Sequence, residues 1–216
     1  MKCAILGLGR AGNIHFNNIK TSSIIEIKYL FDKNISIIEK YNKEFTITDD
    51  LDTILYDNEV KIVIISTPTN THYNLVKICL NHNKHVLCEK PLSLKVDEIE
   101  ECYYIAYQNN LILLCALNRR FDPTIISLKK KVDSNDLGRI HQINTTSRDY
   151  PYPLASYLKI SSGIFHDCGV HDIDFVNWIL NDKPISVYAS GNKIYDYSKN
   201  MGTLDNAIII LEYSNK

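Results

Sequence analysis

The stretch that decides the fold is Met1-Lys2-Cys3-Ala4-Ile5-Leu6-Gly7-Leu8-Gly9-Arg10-Ala11-Gly12. Its apolar run from Cys3 to Leu6 is long enough for one buried strand, and Gly7, Gly9 and Gly12 follow at the spacing G-x-G-x-x-G. In such a loop the first glycine permits a tight turn, the second lets a pyrophosphate approach the main chain, and the third lets the next helix pack close to the strand. The free N–H groups of that helix then face the phosphates. The stretch predicts a dinucleotide-binding βα unit, although the same glycines also fit a turn in another kind of βα unit.

An acidic residue at the expected distance strengthens this interpretation. Asp32 lies about twenty residues after Gly12, at the end of a predicted strand over Glu26–Phe31. A carboxylate there accepts hydrogen bonds from the adenosine ribose hydroxyls and repels a 2′-phosphate, which favours NAD over NADP. The neighbouring Lys33 weakens that preference. Asp32 also fits the N-cap of a helix over Lys33–Lys43, and both roles can hold together.

Composition describes an ordinary globular chain. The 216 residues are 45% hydrophobic and 23% charged, with a formal net charge of −1. A charge so close to zero gives no electrostatic reason to propose nucleic acid or a membrane as partner. The only basic run, Lys129–Lys131, fits a solvated helix face.

The cysteines and the N-terminus bear on the compartment. The six cysteines form no C-x-x-C pair, which argues against a zinc site, and several lie in apolar runs. This usage favours a reducing compartment, and we expect a cytoplasmic protein. No apolar run reaches the length of a membrane span, and a strand that begins at Met1 leaves no room for a signal peptide.

Strand and helix patterns alternate through the first half of the chain. A helix is predicted from Ala11 to about Lys20, and apolar positions at a helical period predict two more across His72–Leu80 and Ile99–Ala106. Continuous apolar runs predict further buried strands at Lys61–Ser66, His85–Cys88 and Leu111–Leu117. The alternation predicts an α/β fold, an N-terminal Rossmann domain with a doubly wound parallel sheet over residues 1–117.

After residue 117 the order of predicted elements changes to an α+β pattern, which predicts a second domain over residues 118–216. Helices are predicted around Thr124–Val132 and over Ile164–Leu180, and strands over Ile140–Arg148, Ile185–Ile194 and Asn206–Tyr213. Three strands are few for a sheet, and the last stands close to the end of the sequence. We therefore expect an incomplete domain with an open sheet, in a C-terminally truncated chain.

Lys90 follows the predicted strand His85–Cys88, and ligands of open α/β sheets bind beyond the carboxyl ends of the strands. Its position before Pro91 favours an extended backbone, which directs the ammonium toward the crevice where a nicotinamide would lie. A lysine there can hydrogen-bond a substrate hydroxyl or act as a base. A surface lysine after a strand fits the position equally well.

The second cluster of reactive side chains runs from Gly163 to Asp174. Asp167, His171 and Asp174 are spaced i, i+4 and i+7, so a helix would place them on one face. An aspartate–histidine pair suits alcohol oxidation, because the imidazole can take the hydroxyl proton as hydride leaves. An acid-rich helix N-terminus with a packed histidine fits the same spacing. Gly169 costs about 1 kcal/mol in a helix relative to alanine, so we expect a backbone or a ligand to approach it closely.

Taken together, these motifs resemble the Gfo/Idh/MocA oxidoreductases, the glucose-fructose oxidoreductase and inositol dehydrogenase family, and among them most the myo-inositol 2-dehydrogenases. The matching pieces occur in order through nearly the whole chain, at Gly7–Gly12, Thr67–His72, Glu89–Pro91, Asn118–Pro123, Ser147–Asp149 and Gly163–Asp172.

The resemblance implies a Rossmann domain that binds NAD, with NADP less favoured, and a second domain whose open sheet builds homo-oligomers. It implies a reaction in which a ring hydroxyl of a polyol or sugar becomes a ketone and hydride passes to the nicotinamide. Lys90, Asp167 and His171 would form the catalytic set, Asp149 would line the substrate pocket, and no metal is implied. The cofactor-binding residues it implies are Gly7, Gly9, Arg10, Ala11, Gly12, Asp32, Thr67, Pro68, His72 and Glu89.

Other functions fit the same sequence. A dehydrogenase for another sugar or for a dihydrodiol would share these motifs. A truncated, non-catalytic dinucleotide-binding protein would retain the glycine loop and Asp32 without turnover.

Overall fold

The computed structural model describes residues 1–34, 37, 41, 45–158 and 161–214. The chain divides into two compact units, Met1–Ala116 and Leu117–Lys216. The helix predicted over Lys33–Lys43 falls largely outside the described residues. Within the described ranges no helix is both long and apolar enough to cross a bilayer.

The first unit is built on a six-stranded parallel sheet. Its strands are β1 (Lys2–Leu6), β2 (Glu26–Phe31), β3 (Thr46–Thr48), β4 (Val60–Ile65), β5 (His85–Cys88) and β6 (Leu113–Cys115). They lie in the order β3-β2-β1-β4-β5-β6, with every neighbouring pair parallel. The order reverses between β1 and β4, which is the switch point at which doubly wound sheets bind their ligands.

Helices connect these strands. They are α1 (Arg10–Ile19), α2 (Leu51–Leu55), α3 (His72–Asn81) and α4 (Val96–Gln108), with a 3₁₀ turn at Thr69–Thr71 before α3. The helices predicted from Ala11 to about Lys20, over His72–Leu80 and over Ile99–Ala106 are confirmed. A β-strand followed by a helix and a parallel strand is the unit from which such sheets are made.

Alternate residues of β1 enter two separate hydrophobic clusters. Ala4 and Leu6 pack with apolar residues of α3 and α4, whereas Cys3 and Ile5 pack with apolar residues of α1. All four side chains are fully buried. Because successive side chains of a strand point to opposite faces, helices must cover both faces of the sheet. Each buried leucine or isoleucine contributes about 1.5–3 kcal/mol to folding.

Two strands of the first unit differ from the prediction. The short strand β3 was not predicted, because three residues are too few to show a period of two. The strand predicted over Leu111–Leu117 contains only Leu113–Cys115. β6 is an edge strand of the sheet. Its Leu113 side chain is buried, but Leu114, on the opposite face, is 53% exposed. The expectation of a strand buried on both faces is therefore wrong.

The second unit combines helices with a two-stranded antiparallel sheet, β7 (Pro184–Asn192) and β8 (Asn206–Tyr213). Its helices are α5 (Pro123–Asp133), α6 (Ala155–Leu158), α7 (Val170–Leu180) and α8 (Asp196–Met201), with a 3₁₀ turn at Asn118–Phe121 and a π-helical turn at Phe165–Gly169. A doubly wound sheet followed by an α+β unit with an open sheet confirms the predicted fold class.

The start of α5 follows from its sequence. The Asp122 side chain accepts hydrogen bonds from the N–H groups of Thr124 (2.8 Å) and Ile125 (3.2 Å), and Pro123 occupies the first helical position. An aspartate N-cap satisfies N–H groups that have no intrahelical partner, and proline has no N–H to leave unsatisfied there.

The strand predicted over Ile140–Arg148 is wrong, because this segment has no regular secondary structure. Its apolar residues Ile140 and Ile143 line a groove together with Phe175 and Ile179 of α7. Packing against a helix thus accounts for the apolar pattern, and β7 and β8 pair with each other in the described part of the sheet.

Candidate active site

The turn after β1 requires glycine at residue 7. Gly7 has a φ of +86°, and a Cβ there would lie 2.7 Å from the carbonyl oxygen of Ser66. The Gly7 N–H donates to the Phe31 carbonyl oxygen at 2.8 Å, which ties the turn to the end of β2. The turn is therefore fixed by both neighbouring strands of the sheet.

Gly12 and Gly9 are constrained differently. A Cβ at Gly12 would lie 1.8 Å from the Gly7 carbonyl oxygen, so α1 packs directly on the turn. A Cβ at Gly9 would meet no described atom within 4 Å. The protein's own packing therefore does not account for glycine at residue 9, whereas a bound pyrophosphate that approaches the main chain would. Arg10 and Ala11 begin α1, and N–H groups in a first helical turn have no intrahelical acceptor.

Asp32 stands directly beside this loop. One carboxylate oxygen accepts a hydrogen bond from the Leu8 N–H and the other from the Asn34 N–H, each at 2.8 Å. The carboxylate thus follows the carboxyl end of β2 and lies at the glycine loop. Its negative charge there favours ribose hydroxyls and disfavours a phosphate.

The loop Thr67–His72 follows β4 at the same edge of the sheet. The Thr67 and Thr71 hydroxyls lie 2.7 Å apart, and the Thr71 hydroxyl donates to the Pro68 carbonyl oxygen at 2.7 Å. His72 is only 1% exposed, and its two ring nitrogens each lie 2.8 Å from a main-chain carbonyl oxygen, of Thr67 and of Pro91. The buried imidazole therefore holds the main chain of the loop in place. Replacing His72 would affect cofactor binding only through a change in the loop.

Glu89 and Lys90 follow β5 at this edge as well. The Glu89 N–H donates to the Ile65 carbonyl oxygen at 2.8 Å. Oε1 of the Glu89 side chain lies 2.9 Å from Nε2 of His15 on α1. Burial raises the pKa of the Glu89 carboxyl. This effect is outweighed by the hydrogen bond and charge of His15 and by the N–H and charge of Lys90, which lower the pKa. Its pKa lies below the ordinary value, so Glu89 is a carboxylate at neutral pH.

In the second unit, two arginines of the 3₁₀ turn bind two aspartates of α7. Arg119 Nη1 lies 2.6 Å from Asp172 Oδ1, and Arg120 donates through Nε to Asp174 Oδ2 at 2.9 Å and also through Nη2 to Oδ1. Ser147 donates to the other oxygen of Asp172 at 2.8 Å and accepts from Arg119 at 2.9 Å. This arginine–aspartate clamp fixes the start of α7, where His171 lies.

Asp167 and His171 occupy different kinds of helix, which corrects the single α-helical face that the spacing predicted. Asp167 lies in the π-helical turn and accepts a hydrogen bond from the Ser161 hydroxyl, whereas His171 is half-buried in the first turn of α7. A π-turn bonds residue i to i+5 and so changes the angular spacing of the side chains. Asp174 is engaged by Arg120.

Asp149 lies next to the same turn, since the Cys168 thiol donates to its Oδ2 at 3.4 Å. Gly169 is also closely approached, but by a side chain. A Cβ there would lie 3.1 Å from Cδ1 of Ile209 on β8. The expected approach of a backbone or ligand at Gly169 is therefore replaced by packing of the sheet against the π-turn.

The structure thus gathers the predicted residues in two sets. The first unit places the glycine loop, Asp32, the Thr67–His72 loop, Glu89 and Lys90 at the carboxyl ends of its strands. In the second unit Asp149 contacts Cys168 of the π-turn that contains Asp167, and His171 lies in the first turn of α7. Sequence reasoning missed His15 and Ser161 as polar partners, because nothing in their spacing indicates the residues they bind. Among the described residues no group of three or more histidine, cysteine or acidic side chains could hold a metal ion.

Fold and site together define a Rossmann domain of the dinucleotide-binding type, followed by an α+β domain. Residues 1–117 match the family model described as "Oxidoreductase family, NAD-binding Rossmann fold", and residues 125–216 match the Gfo/Idh/MocA C-terminal domain. The chain belongs to the Gfo/Idh/MocA oxidoreductase family.

Several of the named relatives are inositol dehydrogenases. The chain is 32% identical to a myo-inositol 2-dehydrogenase of Thermotoga maritima, covering 100% of this chain and 66% of that protein. It is 30% identical to an NAD⁺-dependent scyllo-inositol 2-dehydrogenase of Bacillus subtilis, covering 100% and 64%. The chain thus spans about two thirds of the length of the curated relatives it matches.

A solved structure gives the same likeness. The chain superposes with a TM-score of 0.91, at 29% identity, on scyllo-inositol dehydrogenase from Lactobacillus casei with bound NAD(H) and scyllo-inositol. The match covers 100% of this chain and 67% of that one.

Proposed function

We propose that this chain carries an NAD-dependent dehydrogenase activity that oxidises a ring hydroxyl of a cyclic polyol, myo-inositol first, to a ketone. Residues 1–117 would bind the dinucleotide, and residues 118–216 would supply the substrate and oligomerisation domain. The observation that carries the proposal is the open space over Gly9, at the same sheet edge as Asp32 and Lys90.

The dinucleotide site uses the first unit alone. The main chain at Gly9 and the N–H groups of Arg10 and Ala11 would hold the pyrophosphate, and Asp32 the adenosine ribose. The Thr67–His72 loop and Glu89 would border the cofactor further along the edge. Preference for NAD over NADP follows from the charge of Asp32, which would repel a 2′-phosphate.

The catalytic step would use three side chains. When bound, the nicotinamide supplies the hydride acceptor. Lys90 would donate a hydrogen bond to the reacting hydroxyl oxygen, and His171 would take the hydroxyl proton. Asp167, held by Ser161, would orient the histidine and the substrate hydroxyl. Asp149 would contact the polyol ring through its carboxylate.

Oligomerisation belongs to the same proposal. One face of the β7–β8 sheet carries Tyr188 opposite Ile210 and Ser190 opposite Ile208. Tyr188, Ile208 and Ile210 are each 57–62% exposed. An exposed apolar sheet face of this kind supports association with a second copy, which sedimentation velocity would detect as a species larger than the monomer.

The test is turnover of the 216-residue chain with NAD⁺ and myo-inositol, followed as NADH absorbance. Lys90→Ala should lower kcat by about a hundredfold or more, since a positioned acid–base group contributes at least that much. The control Lys61→Ala changes an exposed lysine within β4 and should leave the rate unchanged. Absence of NADH formation with myo-inositol would contradict the proposed activity, and turnover of another polyol alone would redirect the substrate.

A further inference from the structure

His15 connects the first helix to the turn that carries Lys90. It lies on α1, after the glycine loop, and its Nε2 is 2.9 Å from Oε1 of Glu89. The two side chains are only 18% and 23% exposed. A partly desolvated contact between an imidazole and a carboxylate is stronger than a neutral hydrogen bond. This contact joins segments that are 74 residues apart in the sequence.

The second oxygen of Glu89 continues the connection. Its Oε2 accepts a hydrogen bond from the Lys90 N–H at 3.3 Å, while the Glu89 N–H is bonded to the Ile65 carbonyl oxygen of β4. One carboxylate therefore links α1 to the main chain of Lys90. The helix that packs against the glycine loop and the lysine after β5 are joined through a single residue.

The other neighbour of Lys90 is held from a different helix. The Pro91 carbonyl oxygen lies 2.8 Å from Nδ1 of His72, at the start of α3. Lys90 thus stands between Glu89 and Pro91, each of which contacts a histidine of a separate helix. A lysine side chain is long and flexible, so the position of its main chain is what the protein can fix.

We propose that His15 is a positioning residue that, through Glu89, holds Lys90 in place relative to the glycine loop. The consequence for the reaction rests on the proposed function, in which Lys90 contacts the reacting oxygen. A displacement of about 1 Å at a reacting group can cost about a hundredfold in rate. A contact that only stabilised the fold would not act selectively on Lys90.

The experiment compares His15→Leu, which removes the polar ring, with His15→Gln, whose side-chain amide can still donate to Glu89. Glu89→Leu, which removes both carboxylate oxygens, tests the same link from the other side. His82→Leu is the matched control, because His82 is also half-buried but lies at the far end of α3, where it contacts the Ile78 carbonyl oxygen.

The first readout is amide hydrogen exchange at Lys90 in the full chain without cofactor. His15→Leu and Glu89→Leu should speed exchange at Lys90 by about tenfold, since the segment opens locally more often. His15→Gln should restore most of the protection, and His82→Leu should leave it unchanged. Unchanged exchange at Lys90 in His15→Leu, or no rescue by His15→Gln, would overturn the inference.

The second readout separates binding from chemistry. His15→Leu should lower kcat by about tenfold to a hundredfold while the Kd for NADH changes by less than about threefold. An equal loss of cofactor binding and turnover would contradict a positioning role. A native chain that forms no NADH would defeat the proposed function, whereas the exchange result at Lys90 would still decide whether His15 acts on it.

Discussion

The Asp32 carboxylate accepts a hydrogen bond from the Leu8 N–H at 2.8 Å, so the acid at the end of β2 and the glycine loop after β1 form one surface. Two residues that follow adjacent strands thereby present a carboxylate next to main-chain N–H groups. Under the proposed function, a free ribose 2′-hydroxyl would donate a hydrogen bond to this carboxylate, whereas a 2′-phosphate would be repelled by it.

Replacing this carboxylate should relax the choice of cofactor. In Asp32→Ser the ratio of NADPH to NADH affinity should rise by about tenfold or more, equivalent to about 1.4 kcal/mol. Fluorescence titration with both reduced dinucleotides measures the ratio. Asp49→Ser, at an exposed acid beyond β3, should leave the ratio as it is. An unchanged ratio in Asp32→Ser would show that the carboxylate does not select the cofactor.

The glycines of the loop should separate stability from binding. A Cβ at Gly12 collides with main chain at 1.8 Å, so Gly12→Ala should destabilise the fold by about 3 kcal/mol. Gly9→Ala meets no described atom and has an ordinary φ of −67°, so its stability should stay within about 0.5 kcal/mol of the native chain. Its NADH affinity should nevertheless fall by about tenfold. Urea unfolding and NADH titration check both effects, and equal stability losses would contradict this account.

The clamp at α7 should behave as a coupled unit. Arg119 and Asp172 are 31% and 18% exposed and share Ser147 as a partner. A double-mutant cycle of Arg119→Ala and Asp172→Ala should give a coupling energy of about 1–3 kcal/mol in thermal unfolding. The same cycle at the exposed pair Lys199–Asp196 should give about 0.5 kcal/mol or less. Similar coupling energies at the two pairs would contradict the prediction that the arginine–aspartate clamp acts as a coupled unit.

Low pH should lower the free energy of unfolding of the first unit, because the Asp57 carboxylate becomes protonated. Its carboxylate accepts hydrogen bonds from the Lys28 ammonium, the Tyr29 hydroxyl and the Glu59 N–H. The hydrogen bond from Lys28, opposed by burial, lowers the pKa of Asp57 from 3.8 to about 2. Because the folded-state pKa lies below the unfolded-state value, this carboxylate stabilises the fold above about pH 4, and that stability is lost as the pH falls toward 2.

In Asp57→Asn, the urea midpoint should be lower at neutral pH and should decline less steeply between about pH 4 and pH 2. Asp196→Asn, at an exposed carboxylate, should reproduce the native dependence on pH. If the urea midpoint of Asp57→Asn declined with pH as steeply as that of the native chain, another group would be responsible for the acid sensitivity.

The cysteines should differ sharply in reactivity. Burial raises the pKa of Cys79 to about 12 and those of Cys3 and Cys102 to about 11, and only the thiolate reacts readily. Cys168 is half-buried beside Asp149. Brief alkylation of the native chain, read by peptide mass spectrometry, should label Cys168 well before the buried thiols. Equal labelling would mean that the first unit opens under those conditions.

The doubly wound fold was predictable because its signals are local. The apolar run after Met1, the glycine spacing and the helical periods each report on one element, and their order indicates the sheet. The weaker elements carry too little local signal. Thr46–Thr48 is too short to show a period, and the apolar residues of Ile140–Arg148 pack in a groove beside α7 instead of pairing in a sheet.

The polar contacts of the candidate site were less accessible to prediction. Spacing predicted Asp167 and His171 as catalytic candidates, but it did not predict the π-turn that sets their relative position. Nothing near His15 in the sequence indicates Glu89, because their contact exists only once β5 has been placed next to β4 and α1 packs on the turn. Long-range side-chain pairs of this kind depend on the fold, not on a local pattern.

The proposed function is tested most directly by following the hydride. The 216-residue chain is incubated with NAD⁺ and myo-inositol that carries deuterium on its ring carbons, and the reduced nicotinamide is examined by mass spectrometry. The proposed reaction should yield reduced nicotinamide that contains deuterium, and Lys90→Ala should suppress its formation. Reduced nicotinamide without deuterium, or none at all, would contradict the claim that this chain oxidises a ring hydroxyl by transfer of hydride to NAD⁺.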